Sequence, residues 1–320
     1  MKLVYLILGN KSYSCSILFL PCGTLYSLLG LFSNALENSF DKHSLLQESS
    51  LDYAVATFYR VFVYTLIITL VGLLGWAGGL RFLFDWKIVS FGVFGALNSL
   101  SYTYALRRIE VTNIGTIAYI APVFFLLIDT ALLHTPLSSL QILGVICLAV
   151  GGIGFSIDGA TRRIKKELSL PVLSIFIFWL IYGGIEAYFF KFMNATQGVN
   201  ATTFFTNVWA WSGVTLLILV LAQRKSLLLF TKSVSRFVTI SVFSKSCDVG
   251  STLFTAQALV LASVSQVTAM GALSPLVLFA VASLLQGIFR VSLNERLDRA
   301  NFMWKFAMIL LLVAGSFAVR

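Results

Sequence analysis

Six ionisable side chains stand inside long apolar runs of this chain: Arg60, Asp129, Glu186, Lys191, Lys245 and Asp248. An ionised group in hydrocarbon costs about 3 kcal/mol or more unless it is paired or hydrated, so each is a candidate for chemistry. Ser241, Lys245, Asp248, Thr252 and Thr255 follow three- and four-residue steps, which places both charges and three hydroxyls on one helical face. Lys245 and Asp248 then either neutralise each other inside a bundle or line a cavity where the pair opens and re-forms as substrate or proton arrives. Trp179, Tyr182, Gly183, Glu186 and Phe190 share a second face. Its aromatics suit packing or an interfacial belt, whereas a mid-span carboxylate such as Glu186 can take up a proton and is the leading candidate for coupling. Arg60 lies a few residues into its run, where it either snorkels to a headgroup or offers a planar fork to a carboxylate or phosphate. Asp129 and Lys191 fall near run ends and read as solvated termini.

The elements that must position these groups are membrane-spanning helices. The chain has 320 residues, is 58% hydrophobic and 11% charged, and has a mean hydropathy of +0.90. A soluble fold of this length needs a more polar surface. Apolar runs near the length that crosses about 30 Å of hydrocarbon recur ten times. They fall at about 14–36, 54–78, 87–106, 111–133, 138–158, 170–193, 201–222, 237–261, 264–289 and 302–319. Between the first two, the polar and acidic stretch Glu37 to Asp52 reads as a loosely ordered loop. Alternating strands of a barrel are excluded by the continuity of the runs.

Two stretches repeat each other at an offset of 153 residues: Ala105-Leu106, Val111-Thr112 and Pro122, against Ala258-Leu259, Val264-Ser265 and Pro275. The basic run Arg162-Arg163-Ile164-Lys165-Lys166 separates the halves. The expected architecture is therefore an all-α integral membrane protein of ten transmembrane helices in two five-helix repeats, 1–160 and 161–320. Five is odd, so the second repeat enters the membrane inverted, the arrangement of many carriers. At the same offset, Asn98, Ser101 and Tyr102 match the polar face of the eighth span. Tyr26 falls near Tyr182 when the halves are overlaid. The candidate cavity set is Arg60, Asn98, Tyr102, Tyr182, Glu186, Lys245, Asp248 and Thr252, with Pro122 and Pro275 as helix kinks. Gly144, Gly151 and Gly152 permit close helix approach.

Several function classes are disfavoured. His43 and His134 are the only histidines, neither sits in a nucleophile context, and no glycine-rich phosphate loop or metal-ligand cluster appears, so neither an enzyme nor a cofactor is expected. Cys15, Cys22, Cys147 and Cys247 lack metal spacing and read as unpaired packing residues. The net charge of +10 lies mainly in short loops, where it meets headgroups rather than nucleic acid.

Local patterns resemble the drug/metabolite transporter superfamily, in its ten-span EamA-type members. They are Phe58-Tyr59-Arg60, Tyr104-Ala105-Leu106, Val111-Thr112 with Pro122, and Leu293-Asn294-Glu295-Arg296-Leu297-Asp298, which looks like the family's Leu-Gly-Glu-Arg-Leu-Thr connector. The first half departs from the pattern, with Leu133-His134-Thr135-Pro136-Leu137 at its connector, and Asn207 stands near where an arginine would match Arg60. The resemblance implies a multi-pass secondary active transporter that moves a small metabolite or amphipathic compound across a bacterial inner membrane, with proton coupling or exchange as an extension. Two other readings stay open: a carrier for a nucleotide-derived solute such as S-adenosylmethionine or a nucleotide sugar, and a non-transporting membrane scaffold.

Six Lys and Arg (Lys2, Lys11, Arg81, Lys87, Lys191, Arg320) fall on the face bearing the termini, whereas fifteen of the 23 fall opposite. Positive charge stays inside, which places both termini outside, against the habit of the resembled family. An Ile164→Cys variant should accordingly resist a membrane-impermeant thiol reagent on intact cells and react once the membrane is opened. Labelling of intact cells would reverse the orientation.

Overall fold

The computed structural model describes residues 22–47, 52–74, 82–110, 138–155, 157, 170–223, 232–261, 267, 270–271, 273–291, 293 and 298–319. Among these residues lie nine long helices: α1 (Cys22–Gln47), α2 (Tyr53–Leu74), α3 (Trp86–Arg108), α4 (Ser139–Phe155), α5 (Leu170–Gln197), α6 (Ala201–Ala222), α7 (Lys232–Leu261), α8 (Ser274–Gly287) and α9 (Arg299–Val319). Each overlaps one of the apolar runs. The run 111–133, with Pro122 and Asp129, lies outside the described residues, as does the basic 162–166 linker. By length and composition alone, α2 over Tyr53–Leu73 and α6 over Ala201–Ala222 are able to cross a membrane.

The first helix corrects the expected boundary of the first span. α1 continues to Gln47, so residues 37–47 of the stretch read as a loose loop are helical. Within it Glu37, Asn38, Ser39, Asp41, Lys42 and Ser44 are buried. Polarity there marks the inside of the bundle, not its aqueous edge.

Side-chain burial departs from the pattern of a water-soluble protein on the outer helix faces and at several ions. Phe62, Leu66, Leu70 and Leu73 form an exposed stripe down α2, and Leu140, Leu143, Ile146 and Val150 form another down α4. Meanwhile Arg60, Lys245 and Lys305 are no more than 4% exposed, within an interior that also holds apolar clusters. An apolar exterior around buried ions is stable where the surrounding solvent is lipid, and it would aggregate in water.

Helix ends are set by local chemistry. Asp85 caps α3 by accepting from the Lys87 amide at 2.9 Å, and Asn200 caps α6 by accepting from the Thr203 amide at 2.8 Å. Ser138 and Gln141 cap α4 reciprocally, each amide donating to the other's side chain. Gly198 adopts φ +64 beyond α5, where its amide and that of Val199 turn back onto the carbonyls of Asn194 and Met193. Pro275 sits in the first turn of α8 and is buried. There its missing amide is harmless, so it heads a helix instead of kinking one.

Two kinds of seam join the helices. α1 packs along α7, and α2 and α3 along α6. The α4–α9 seam is made by small residues: a Cβ at Gly315 would lie 2.9 Å from both the Cys147 Cβ and the Gly144 carbonyl. By contrast, a Cβ at Gly183 in α5 meets nothing within 4 Å. Gly315→Ala should therefore destabilise the purified protein by about 1–3 kcal/mol, because backbone has to move. Gly183→Ala should be neutral or raise stability slightly, by about 0.5 kcal/mol. Thermal unfolding of both variants in one lipid system checks the pair.

Candidate functional site

On α1 the residues Asn34, Glu37, Asn38 and Asp41 recur at three- and four-residue steps and so share one face. That face meets Ser244, Lys245 and Asp248 of α7, while α2 inserts Arg60 from the side. Lys245 Nζ donates to Glu37 Oε1 at 2.8 Å and to Asp248 Oδ2 at 2.7 Å, and it lies 3.1 Å from Asp41 Oδ2. Arg60 Nη2 donates to the same Asp41 oxygen, and its Nη1 donates to Thr103 Oγ1 at 2.7 Å. Ser244 Oγ donates to the other Asp41 oxygen at 2.5 Å.

A polar layer surrounds this core. The Arg60 guanidinium lies over the Tyr102 ring, 5.0 Å from its centroid. The Tyr102 hydroxyl donates to Asn38 Oδ1 at 2.6 Å, and the Asn38 amide donates to Asn34 Oδ1 at 2.9 Å. One turn further along α7, Thr252 Oγ1 accepts from the Tyr64 hydroxyl at 3.0 Å. Asp41 is fully buried, and Glu37, Arg60 and Lys245 are 6%, 4% and 4% exposed. At that depth each charge has to be matched, because an unmatched one costs several kcal/mol.

Of the eight cavity candidates, the structure brings Arg60, Tyr102, Lys245, Asp248 and Thr252 into this one seam. Arg60 does not snorkel. Its Nη1 and Nη2 are occupied by protein groups while Nε has no hydrogen-bond partner, and Lys245 is shared among three carboxylates instead of being satisfied by Asp248 alone. Asn98 is buried on α3, four residues before Tyr102, with its Oδ1 lacking a hydrogen-bond partner. Tyr182 is buried on α5 and its hydroxyl donates to the Phe91 carbonyl of α3 at 3.4 Å. Glu186, one turn along α5, is partly buried. Its Oε1 is shut off from solvent without a hydrogen-bond partner, and its carboxyl lies within electrostatic reach of Asp248.

Glu37 and Asp41 are the residues the sequence reading missed. They were placed in a loop because charge density was taken as a mark of water. Their four-residue separation, in step with Asn34 and Asn38, was the signal that could have placed them on a helix.

Residues 21–157 match the model of the EamA-like transporter family. No curated protein matches the chain. One solved crystal structure aligns with 92% of this chain and 99% of its own, at 16% identity and a TM-score of 0.63. At that identity the likeness shows a shared fold and says nothing about what is bound. The likeness to that family of integral membrane transporters covers residues 21–157, less than half of the chain.

Proposed function

We propose that the protein is a secondary active transporter that moves a small metabolite or amphipathic compound by alternating access between two inverted five-helix units, 1–160 and 161–320, in ten spans. The observation that carries this reading is the pattern of helix pairing. At the 153-residue offset, α1, α2 and α3 correspond to α5, α6 and α7, and α4 corresponds to α9. The pair α1–α7 then has α5–α3 as its mate, and α2–α7 has α6–α3; all four contacts exist. The pairs α2–α6 and α4–α9 are in contact and map onto themselves, which supports a two-fold relation between the repeats. Each of the two mated seams also carries a tyrosine–phenylalanine ring pair, Tyr26 with Phe254 at 6.3 Å and Tyr182 with Phe91 at 5.0 Å between centroids.

In this reading the ionic seam of α1, α2 and α7 lies beside the transport path, with Asn98, Tyr182 and Glu186 on its other side. Opening the path separates α1 from α7 and forces their charges to find new partners. Substrate or protons arriving at Glu186 and Asp248 supply them, which couples movement to binding. A bacterial inner membrane is the proposed location.

A nucleotide-derived solute, S-adenosylmethionine or a nucleotide sugar, would call on Arg60 and Lys245 to receive an anionic or zwitterionic ligand. Both are held by carboxylates here, so the geometry gives an anion no free cation among the described residues of the seam. A scaffold with the same fold remains the alternative from another class, and flux separates it from a carrier.

Comparing metabolite pools in cells with and without the protein should identify a transported solute, and proteoliposomes should then move it above empty-vesicle controls. With that solute, Lys245→Met should lower the initial rate at least tenfold, because it leaves buried carboxylates unmatched at a cost of about 3 kcal/mol or more. No flux across a broad metabolite panel would favour the scaffold. An unaltered Lys245→Met rate would remove the seam from the mechanism.

A further inference from the structure

Positive charge gathers at one end of the bundle. There Leu45, Ala54, Ile109, Phe237 and Leu278 pack into one cluster, which joins the C-terminal ends of α1 and α3, the starts of α2 and α7, and α8. Lys305, in the second turn of α9, lies 3.2 Å from Glu110 at the end of α3 and brings the start of α9 to the same place. Arg108, Arg236, Arg290 and Arg299 are exposed at or beside these helix ends. The acids near them are engaged by other groups: Glu110 by Lys305, Asp52 by the Ala54 amide at 2.9 Å, and Asp298 by the Asn301 side-chain amide at 2.7 Å. Among the described residues, no hydrogen bond or ion pair holds Arg236, Arg290 or Arg299.

Local preference would put these charges elsewhere. Arg290 follows α8 at φ +53, in the left-handed region that glycine enters freely and a residue with a Cβ rarely does. The turn fixes it there, because the Val291 amide donates back to the Leu285 carbonyl at 3.0 Å and the Phe289 amide to Leu284 at 3.4 Å. Lys232 opens α7 and Arg299 opens α9, and neither helix has an acid in its first turn, although the amide end of a helix favours anions. Departures from local rules persist where something beyond the local fold rewards them. All of these add the same sign of charge to one rim. Immediately before Arg290, Ile288 and Phe289 are 68% and 69% exposed. On α3 the Arg108 guanidinium lies 4.0 Å from the Tyr104 ring centroid, and the Tyr104 ring meets that of Tyr53 edge-on at 6.1 Å. Stacking of that kind steadies a guanidinium and leaves its in-plane donors for a phosphate.

We propose that the turn after α8 is a binding site for an anionic phospholipid, with Arg290 on the phosphate and Ile288 and Phe289 against the acyl chains. Arg108, Arg236 and Arg299 form the rest of a rim of like charge that draws such lipids to this end. Two exposed apolar side chains followed directly by an unpaired guanidinium match the step from hydrocarbon to phosphate in a bilayer leaflet. Charge complementarity selects the anionic headgroup, and the apolar exterior of the helices selects a lipid over a soluble anion. The inference goes beyond the transport reading and does not depend on it.

The test compares thermal unfolding of the full chain in two kinds of nanodisc, one of phosphatidylcholine and one with about a third of it replaced by phosphatidylglycerol. The unmodified chain should melt higher in the anionic discs, and the gain should shrink in high salt. Arg290→Gly relieves the backbone and removes the charge, so its effect should change sign with the lipid. In phosphatidylcholine it should melt level with the unmodified chain or about 1–3 °C higher. In the anionic discs it should forfeit at least half of the gain. Arg290→Lys keeps the charge and should retain part of it, and glycerol 3-phosphate added to phosphatidylcholine discs should reproduce none of it. Three results would overturn the proposal. One is an equal shift by Arg290→Gly in both lipids, which would leave Arg290 serving only the carbonyl end of α8. Another is a gain untouched by Arg290→Gly but lost in Arg299→Gln, which would place the lipid elsewhere. The third is the same gain from glycerol 3-phosphate, which would assign the turn to a soluble anion.

Discussion

The structure depends on matching ions where water is scarce. Glu37, Asp41, Arg60, Lys245 and Asp248 come from three helices, and each is held by at least one of the others. In a low-dielectric interior such contacts are strong when complete and ruinous when broken, so they allow one register between α1 and α7. Arg60 extends this constraint to α3 through Thr103, and Lys42 binds the carbonyls at the end of the same helix, where the helix dipole favours a cation. Four helices, α1, α2, α3 and α7, are thereby aligned around the ends of Arg60, Lys245 and Lys42.

Away from this centre the scaffold uses gentler devices. The α4–α9 seam is close contact between small residues, and Leu148, Phe279, Ile309 and Leu312 form an apolar cluster beside it. On α5 and α6 the rings of Phe189, Phe190, Phe204 and Phe205 interlock at centroid distances of 5.0–5.8 Å. Such surfaces slide or repack at modest cost, unlike the ion seam, which is either made or unmade. Rigid and yielding contacts therefore occupy different parts of the bundle.

Much of this organisation could be read from residue order. Apolar runs located the helices, because a chain surrounded by lipid has to satisfy its backbone internally and continuous helices do so. The face of α7 was legible from Ser241 to Thr255, because helical period alone brings those side chains together. Partners were not legible. Nothing local to Lys245 indicates that Glu37, 208 residues earlier, reaches its ammonium group. The helical extent of 37–47 was hidden for a related reason: a dense polar stretch has the same composition in a hydrated loop and in a buried ionic face. Pro275 was ambiguous in the same way, because proline both interrupts helices and starts them.

The ionic seam has no chemical twin. Displaced by 153 residues, Glu37 becomes Phe190 and Asp41 becomes Asn194, while Lys245, Asp248 and Arg60 become Gly92, Gly95 and Gly213. Where one interface is fastened by charge, its mate offers rings, an amide and bare backbone. In the proposed alternating-access reading, the two shapes that such a frame relates are thus unequal in energy. The empty molecule would then have a preferred posture, and a carried solute would pull against that bias in one direction and be helped by it in the other.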